Sequence, residues 1–523
     1  MLPAASQIFS AHLMAALTEL EVEQAFLSPG SRSQSLAIAA QQLHDVDRLT
    51  LRVRIDERSM GFTALGAAKA TGMPVAIITT SGTAVANLLP AVLEAHHSGV
   101  PLILLTADRP KELRGVGANQ TTNQVGIFGD AVRFCEDIEA PSGDVDLDAV
   151  RALAERAVSV AMGDFTHRAG PVHLNICFRE PLSSLTPDAA DIYTGAEFPE
   201  EEPQIPSFAI LNGEVNTVVV AGAEAGMLAL EAAEAFGWPV FAEPSSRCRY
   251  GANSIVAYPA LLAEDHELTN KIERVVVYGK PTLSREVQKL IARDDIELIV
   301  VRSELTGLFN PYGNASEIVD DLTVNGEVSS EWLARWRVAS HNWISAQNYN
   351  TGLDRRKVIE LVYQASQLDD AIVLGASRMI READIWAPSK PIQVFANRGL
   401  SGIDGTIATA TGIALSSEGA FTRLILGDLT LIHDASSMIE DPEESINLQL
   451  IMVNDSGGSI FEKLEVFEAV EQGTFDRIFR AGQKIDYWSL ANAYGFVYIT
   501  PANEQELLDA LATPGRVLIE IKL

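Results

Sequence analysis

The chain has 523 residues, room for about three domains of ordinary size, and a 47% hydrophobic content that can fill a core in each. Acidic side chains outnumber basic ones 70 to 39, and the net charge of −31 argues against nucleic acid and anionic membrane surfaces as partners. Three scattered cysteines, Cys135, Cys177 and Cys248, have no CxxC spacing, which argues against a disulfide framework or zinc site and fits a reducing cytoplasm.

The opening segment lacks a basic n-region and reads as an amphipathic helix over 6–20, not a signal peptide. Residues 22–27 form an apolar run leading into the loop Ser28-Pro29-Gly30-Ser31-Arg32-Ser33, and 51–55 a short strand entering Asp56-Glu57-Arg58. A small-residue helix is predicted over 60–71 and a buried strand over 75–79; Ser81-Gly82-Thr83 then opens a helix through His97. Residues 70–93 carry no charge, but Pro74, Pro90 and several hydroxyls make this strand, loop and helix, not the roughly 20 mostly apolar residues of a membrane span. His96 and His97 fall on the last helical turn with no third ligand, so dipole capping is expected of them in preference to metal binding. Further strands over 101–106 and 170–176, the latter the last of this unit, complete a βα repetition that predicts a parallel sheet covered on both faces.

A Pro/Glu-rich stretch over 198–203 reads as a linker. The second unit has strands over 217–220, 275–278 and 298–301, and its turn from Gly222 to Gly226 lacks GxGxxG spacing, which disfavours a nucleotide-dependent oxidoreductase. A Trp-containing helix over 329–350 leads to a third unit with strands over 371–374, 392–395, 424–426, 448–453 and 517–521. The expected domains are therefore 1–185, 205–340 and 350–523, all α/β.

Two strand ends in the last unit carry the chemistry. Gly427-Asp428-Leu429 follows one apolar run, and Asn454-Asp455-Ser456-Gly457-Gly458 follows another. Mg²⁺ takes few protein oxygens and the rest from phosphates and water, and adjacent strand ends can supply one carboxylate each plus a turn carbonyl. Glycines let the main chain approach a diphosphate. Either segment alone is equally an ordinary turn. Four arginines, Arg32, Arg109, Arg381 and Arg398, sit in or beside loops after predicted strands, where an open α/β sheet presents its ligand crevice. Their planar forks suit carboxylates, although surface pairing with the surplus acids is the alternative.

Gly427-Asp428 followed by Asn454-Asp455 resembles the thiamine-diphosphate signature written GDG then NN, and Glu57 in VRIDER resembles that family's activating glutamate. SPGSRS at 28–33, TSGTAVANL at 80–88, ADRP at 107–110, GANQT at 117–121, NRGLSGIDG at 397–405 and NDSGGSIFEKL at 454–464 narrow the resemblance to the 2-succinyl-5-enolpyruvyl-6-hydroxy-3-cyclohexene-1-carboxylate (SEPHCHC) synthases of menaquinone biosynthesis. It is close in the first and last thirds and weak in the middle.

The resemblance implies the three-domain thiamine-diphosphate-enzyme architecture: a pyrimidine-binding domain, a central domain and a diphosphate-binding domain. It implies decarboxylation of 2-oxoglutarate and 1,4-addition of the succinyl-semialdehyde unit to isochorismate. Active sites would lie at a subunit interface, in a homodimer or homotetramer. Glu57 would hydrogen-bond the aminopyrimidine; a helix-start acid in an Asp-Glu-Arg ion cluster is the plainer reading. Asp428, Asp455 and the Gly457 carbonyl would hold Mg²⁺ or Mn²⁺, with Asn454 as an alternative ligand. Leu429 and Ser377 would touch the cofactor, and Ile403 would prop its bent shape. Arg32, Gln120 and Arg398 would join Glu57 in catalysis. Ser31, Asn119, Arg109, Ser377 and Arg381 would line the substrate pocket beside them, with Ile460, Phe461 and Leu464 as its apolar wall. Ser284 and Arg285 match a basic pair only loosely. His433 receives no role. Two departures stand out: Leu429 replaces the third GDG residue, and Asp455 replaces the second Asn. An acetolactate-synthase-like carboligase and a non-catalytic ligand-binding protein of the same fold remain alternatives.

Overall fold

The computed structural model describes residues 4–164, 168–182, 184–185, 187–199, 206–303, 307–347, 352–439 and 441–523. The end of the expected 198–203 linker, and the inter-domain boundaries near 205 and 350, lie outside the described residues. Contacts divide the chain into two compact units. The first comprises Met1–Glu202 with Asp404–Ser416 and Asp434–Ser445; the second comprises Pro203–Ile403, Ser417–His433 and Ile446–Leu523.

The first unit is built on β1 (Gln24–Leu27), β2 (Thr50–Val53), β3 (Val75–Thr79), β4 (Leu102–Asp108), β5 (Cys135–Ile138) and β6 (Val172–Cys177). They form one sheet in the order β2-β1-β3-β4-β6-β5, parallel throughout. Every residue of β3, β4 and β6 is buried, which is why β3 and the start of β4 read as apolar runs, while β6 buries His173 and Asn175 among its apolar residues. From β1 the chain goes to β2 on one side and β3 on the other, so the C-terminal ends of β1 and β3 flank a switch point. As expected, β6 is the last strand of this sheet in chain order, but it does not lie at the sheet's edge. The half-buried, charged β5 (Cys-Glu-Asp-Ile) lies outside it and gives no apolar signal.

Three helices depart from the sequence reading. Ala5–Glu19 is buried on most sides, from Ser6 and Gln7 through Leu17, and is therefore not an amphipathic surface helix. Glu57–Thr71 begins three residues before the expected start, because the Asp56 side chain accepts from the Arg58 and Ser59 amides as its N-cap; it ends at Gly72, φ 74°. The helix expected through His97 is two, Thr83–Asn87 and Leu89–Ser98, divided where Pro90 lacks an amide hydrogen. Glu57–Thr71 crosses Thr406–Leu415, also of this unit, at backbone contact. A Cβ on Gly66 would sit 2.1 Å from the Thr409 carbonyl oxygen, and one on Gly412 2.0 Å from that of Thr63.

The second unit holds β7 (Phe208–Asn212), β8 (Thr217–Ala221), β9 (Val240–Ala242), β10 (Arg274–Tyr278), β11 (Glu297–Val301), β12 (Glu317–Val319) and β13 (Asp321–Asn325). Their main sheet runs β12-β11-β10-β8-β9, with β7 and β13 paired separately. The remaining strands are β14 (Ala371–Leu374), β15 (Gln393–Phe395), β16 (Phe421–Gly427), β17 (Asn447–Asn454), β18 (Val497–Ile499) and β19 (Arg516–Lys522). They form a parallel sheet, β15-β14-β16-β17-β19-β18, whose own switch point lies between β14 and β16. Among the described residues no helix is long and apolar enough to cross a membrane, and the three cysteines are free thiols.

Candidate active site

Parallel strands bring all their C-terminal loops to one sheet edge. In the first unit this gathers the loops after β1, β2, β3, β4 and β6. The loops after β1 and β3 touch at the switch point: a Cβ on Gly30 would lie 2.2 Å from Thr80 Cβ. Arg32 donates to the Phe178 carbonyl at 2.9 Å and lies 3.5 Å from the Glu180 carboxylate, while its buried Nε has no partner among the described residues. Arg109, almost fully buried, donates to Ser81 Oγ. Gln120, in left-handed backbone at φ 55°, donates to the Ser81 carbonyl at 2.9 Å and accepts from Ser81 Oγ at 3.1 Å through its own carbonyl. Arg32, Arg109, Gln120 and Ser81 thus share one cluster. Desolvation and then the charge of Arg32 pull the Arg109 guanidinium below its ordinary range. Two crowded cations with spare donors are poised for an anion. Ser31 and Asn119 are exposed at the rim of the same loops.

Glu57 is the first residue of its helix and half-buried. The ion cluster foreseen as the plainer reading does not include it. Arg58 turns to Asp434 Oδ1 at 2.8 Å and Ser436 Oγ at 3.0 Å, and Glu57 has no hydrogen bond or ion pair among the described residues. Asp434 Oδ2 accepts from the Ile407 and Ala408 amides, so this acid also caps the helix Thr406–Leu415.

The last sheet of the second unit ends in the two acids. Asp428 follows β16, is 1% exposed, and keeps Oδ2 buried without a partner among the described residues. Burial and then the Asp455 carboxylate push its pKa up to about 6. Asp455 receives Arg355 Nη2 at 2.6 Å and Ser459 Oγ, both on Oδ2. Asn454 is otherwise engaged: its Nδ2 donates to Glu520 at 2.6 Å and its Oδ1 accepts from the Ser456 amide. Gly457 has φ 128°, and a Cβ there would lie 2.2 Å from the Arg480 carbonyl oxygen, so the tight turn requires glycine. Among the described residues no three His, Cys, Asp or Glu side chains gather as a metal set. A cation here would rest on two carboxylates, main-chain oxygen and non-protein ligands, which suits Mg²⁺ bound with a diphosphate. An orphaned carboxylate oxygen beside a second carboxylate is the electrostatic imprint such a cation would neutralise. Leu429 is half-buried directly after Asp428.

On the same unit a cleft of about 300 Å³ is lined by Thr282, Ser377, Ile380, Arg381, Arg398 and the 399–401 loop. Arg398 donates to Thr282 Oγ1 at 2.9 Å and keeps a buried Nε without a partner among the described residues; Arg381 donates to the Leu283 carbonyl at 2.8 Å. Desolvation and the charges of Arg398 and Arg285 bring Arg381 below its ordinary range. Arg285 itself is exposed and pairs with Glu465 at 3.0 Å, while Ser284 caps its helix through the Val287 amide. Ile403 lies half-buried just ahead of Thr406–Leu415. Ile460, Phe461 and Leu464 are half-buried on and just after the short 3₁₀ turn Ser459–Lys463. His96 is no positive helix cap: burial and the charges of Arg133 and Arg168 lower its pKa to about 4, and its Nδ1 lies 2.8 Å from Arg133 Nη1. Sequence reasoning missed Ser81 as the hub of the first cluster, although it lies inside TSGTAVANL. It also missed Arg355 and Thr282, whose partners lie about a hundred residues away and leave no local signal.

Residues 9–127 match the family model described as thiamine pyrophosphate enzyme, N-terminal TPP binding domain. A SEPHCHC synthase of Leifsonia xyli subsp. xyli is 40% identical over 570 aligned residues, covering 98% of this chain and 95% of the relative. One from Kineococcus radiotolerans is 43% identical, covering 98% and 94%, and one from Arthrobacter sp. is 42% identical, covering 96% and 86%. The chain belongs to the SEPHCHC synthase family. As a family member it is a thiamine-diphosphate-dependent enzyme that forms a carbon–carbon bond in menaquinone biosynthesis. SEPHCHC synthase relatives align through the middle third of the chain as well, where motif resemblance alone was weak.

Proposed function

We propose that this enzyme decarboxylates 2-oxoglutarate and adds the resulting succinyl-semialdehyde unit to isochorismate in a 1,4-addition that yields SEPHCHC. The observation that carries the reading is the buried Asp428 oxygen left without a partner among the described residues, beside Asp455 at the ends of β16 and β17. Asp428, Asp455 and the main chain at Gly457 would hold Mg²⁺ or Mn²⁺ for the cofactor diphosphate, with Asn454 bracing the turn in place of ligating. Leu429, Ser377 and Ile403 complete the cofactor's contacts. Thiamine diphosphate, when bound, supplies a thiazolium that accepts the electrons released on decarboxylation.

The side chains bind, orient and move protons. Glu57, which has no hydrogen bond or ion pair among the described residues, would share a proton with the aminopyrimidine of the bound cofactor. The Arg32, Arg109 and Gln120 cluster, with Ser31 and Asn119 at its rim, grips one carboxylic acid. Arg381, Arg398 and Ser377, with Arg285 at the margin, grip the other. Ile460, Phe461 and Leu464 keep water from the reacting carbons. Two arginine clusters suit two dicarboxylic substrates. The working species is a homodimer or homotetramer in the cytoplasm, where three free thiols are stable.

The test is substrate choice. With cofactor and Mg²⁺, CO₂ release should depend on 2-oxoglutarate and not on pyruvate. Preferential release from pyruvate would instead indicate an acetolactate-synthase-like carboligase.

A further inference from the structure

Behind the Arg381–Arg398 cleft lies a carboxyl that no motif marks. Glu243 directly follows β9 and is 1% exposed. Its Oε1 accepts the Leu283 amide at 2.7 Å, and its Oε2 is buried without a partner among the described residues. The segment 280–283 is pressed onto the turn after β8: a Cβ on Gly222 would lie 1.9 Å from Pro281 N. From this pinned segment Thr282 Oγ1 receives Arg398 at 2.9 Å and the Leu283 carbonyl receives Arg381 at 2.8 Å. Leu283 therefore carries Glu243 on its N–H and Arg381 on its C=O, and its neighbour carries Arg398.

The energetics favour a hydrogen-bonding role over a charge-pairing one. Burial, then the nearby Asp384, pushes Glu243 up to about 8, with Arg398 opposing. Asp384 is itself pushed up to about 6, and its Oδ1 accepts from Tyr258 at 2.6 Å. Burial thus works against a charged Glu243 as a counter-ion for Arg398; what the geometry shows is a fixed acceptor for the Leu283 amide. Two guanidiniums in one cleft repel each other, and each long side chain has rotamer freedom to lose. Both need rigid acceptors to present their forks in one direction.

The geometry points to Glu243 as a positioning residue for Arg381 and Arg398, acting through the 280–283 segment to hold the carboxylate-binding cleft in shape. This rests on the proposed substrate role of those arginines. The experiment measures KM and kcat for 2-oxoglutarate and isochorismate in Arg398→Ala, Glu243→Ala and Glu243→Gln, with melting temperatures recorded. Arg398→Ala identifies which acid the cleft takes. Glu243→Ala should raise the KM of that same acid about tenfold, the scale of one lost buried hydrogen bond, with kcat within about threefold. Glu243→Gln, which keeps an acceptor oxygen, should restore KM to within about twofold of the parent enzyme, a rescue that general loosening of the fold would not give. A folded Glu243→Ala with unchanged KM, a rise for the other acid alone, or a Gln variant as impaired as Ala overturns the inference while leaving the arginine reading intact. No KM change in Arg398→Ala overturns both. If Glu243→Ala does not fold, Thr282→Val removes the Arg398 acceptor instead: a raised KM for the acid identified by Arg398→Ala supports the linkage, and an unchanged one overturns it.

Discussion

Asp428 is held in a state the protein alone does not stabilise. Its carboxylate is buried, close to Asp455, and one oxygen has no partner among the described residues. Asp428→Asn should therefore move two measurements in opposite directions. Affinity for thiamine diphosphate in the presence of Mg²⁺, read by calorimetry, should fall by at least about tenfold. The melting temperature of the cofactor-free protein should stay level or rise, because like-charge repulsion is removed. Glu57→Gln should reduce turnover by about 10²-fold or more while leaving cofactor affinity within a few-fold, because the amide cannot share the proton. These acids were legible in the sequence because strand ends expose them in short, chemically distinct segments. Glu243, Thr282 and Arg355 were not, because each acts on a partner distant in the chain. The ambiguity between Asn454 and Asp455 could be narrowed only once the Asn454 amide was seen donating to Glu520.

The helix pair Glu57–Thr71 and Thr406–Leu415 depends on two glycines that let backbones meet. Gly412→Ala places a methyl group against the Thr63 carbonyl and should cost about 1–3 kcal/mol by overpacking, visible as a lower melting temperature. A second element-scale prediction concerns His173, fully buried on β6 with Nε2 2.7 Å from Thr106 Oγ1 of β4. Burial lowers its pKa from 6.5 to about 4. The folded state thus binds fewer protons than the unfolded chain between those values, so the stability it contributes is complete above pH 6.5 and is lost as pH falls toward 4. The loss is up to about 3 kcal/mol. Denaturant titrations of His173→Gln should show a shallower decline over that window; an identical decline would contradict the assignment. Central strands such as β3, β4 and β17 were readable as continuous apolar runs, since both faces are covered. Short or half-exposed strands such as β5, β12 and β18 were not, because they are only three or four residues long and partly face water, and β5 and β12 also carry acidic side chains.

For the whole molecule, the βα alternation announced three large parallel sheets, and the structure contains them. What sequence order hid is that Thr406–Leu415, lying between two strands of the last sheet, packs into the first unit. Helix membership follows from small residues meeting across a crossing, which periodicity does not report. The account also expects a homodimer or homotetramer, so sedimentation at micromolar concentration should give at least twice the 56.4 kDa chain mass. The most direct measurement incubates the purified protein with thiamine diphosphate, Mg²⁺, 2-oxoglutarate and isochorismate and follows the products by mass spectrometry. The account predicts the SEPHCHC mass together with one CO₂ released per molecule formed, and neither product when the cofactor is omitted. Release of CO₂ without any adduct of isochorismate, or no reaction at all by folded, cofactor-loaded protein, would contradict it.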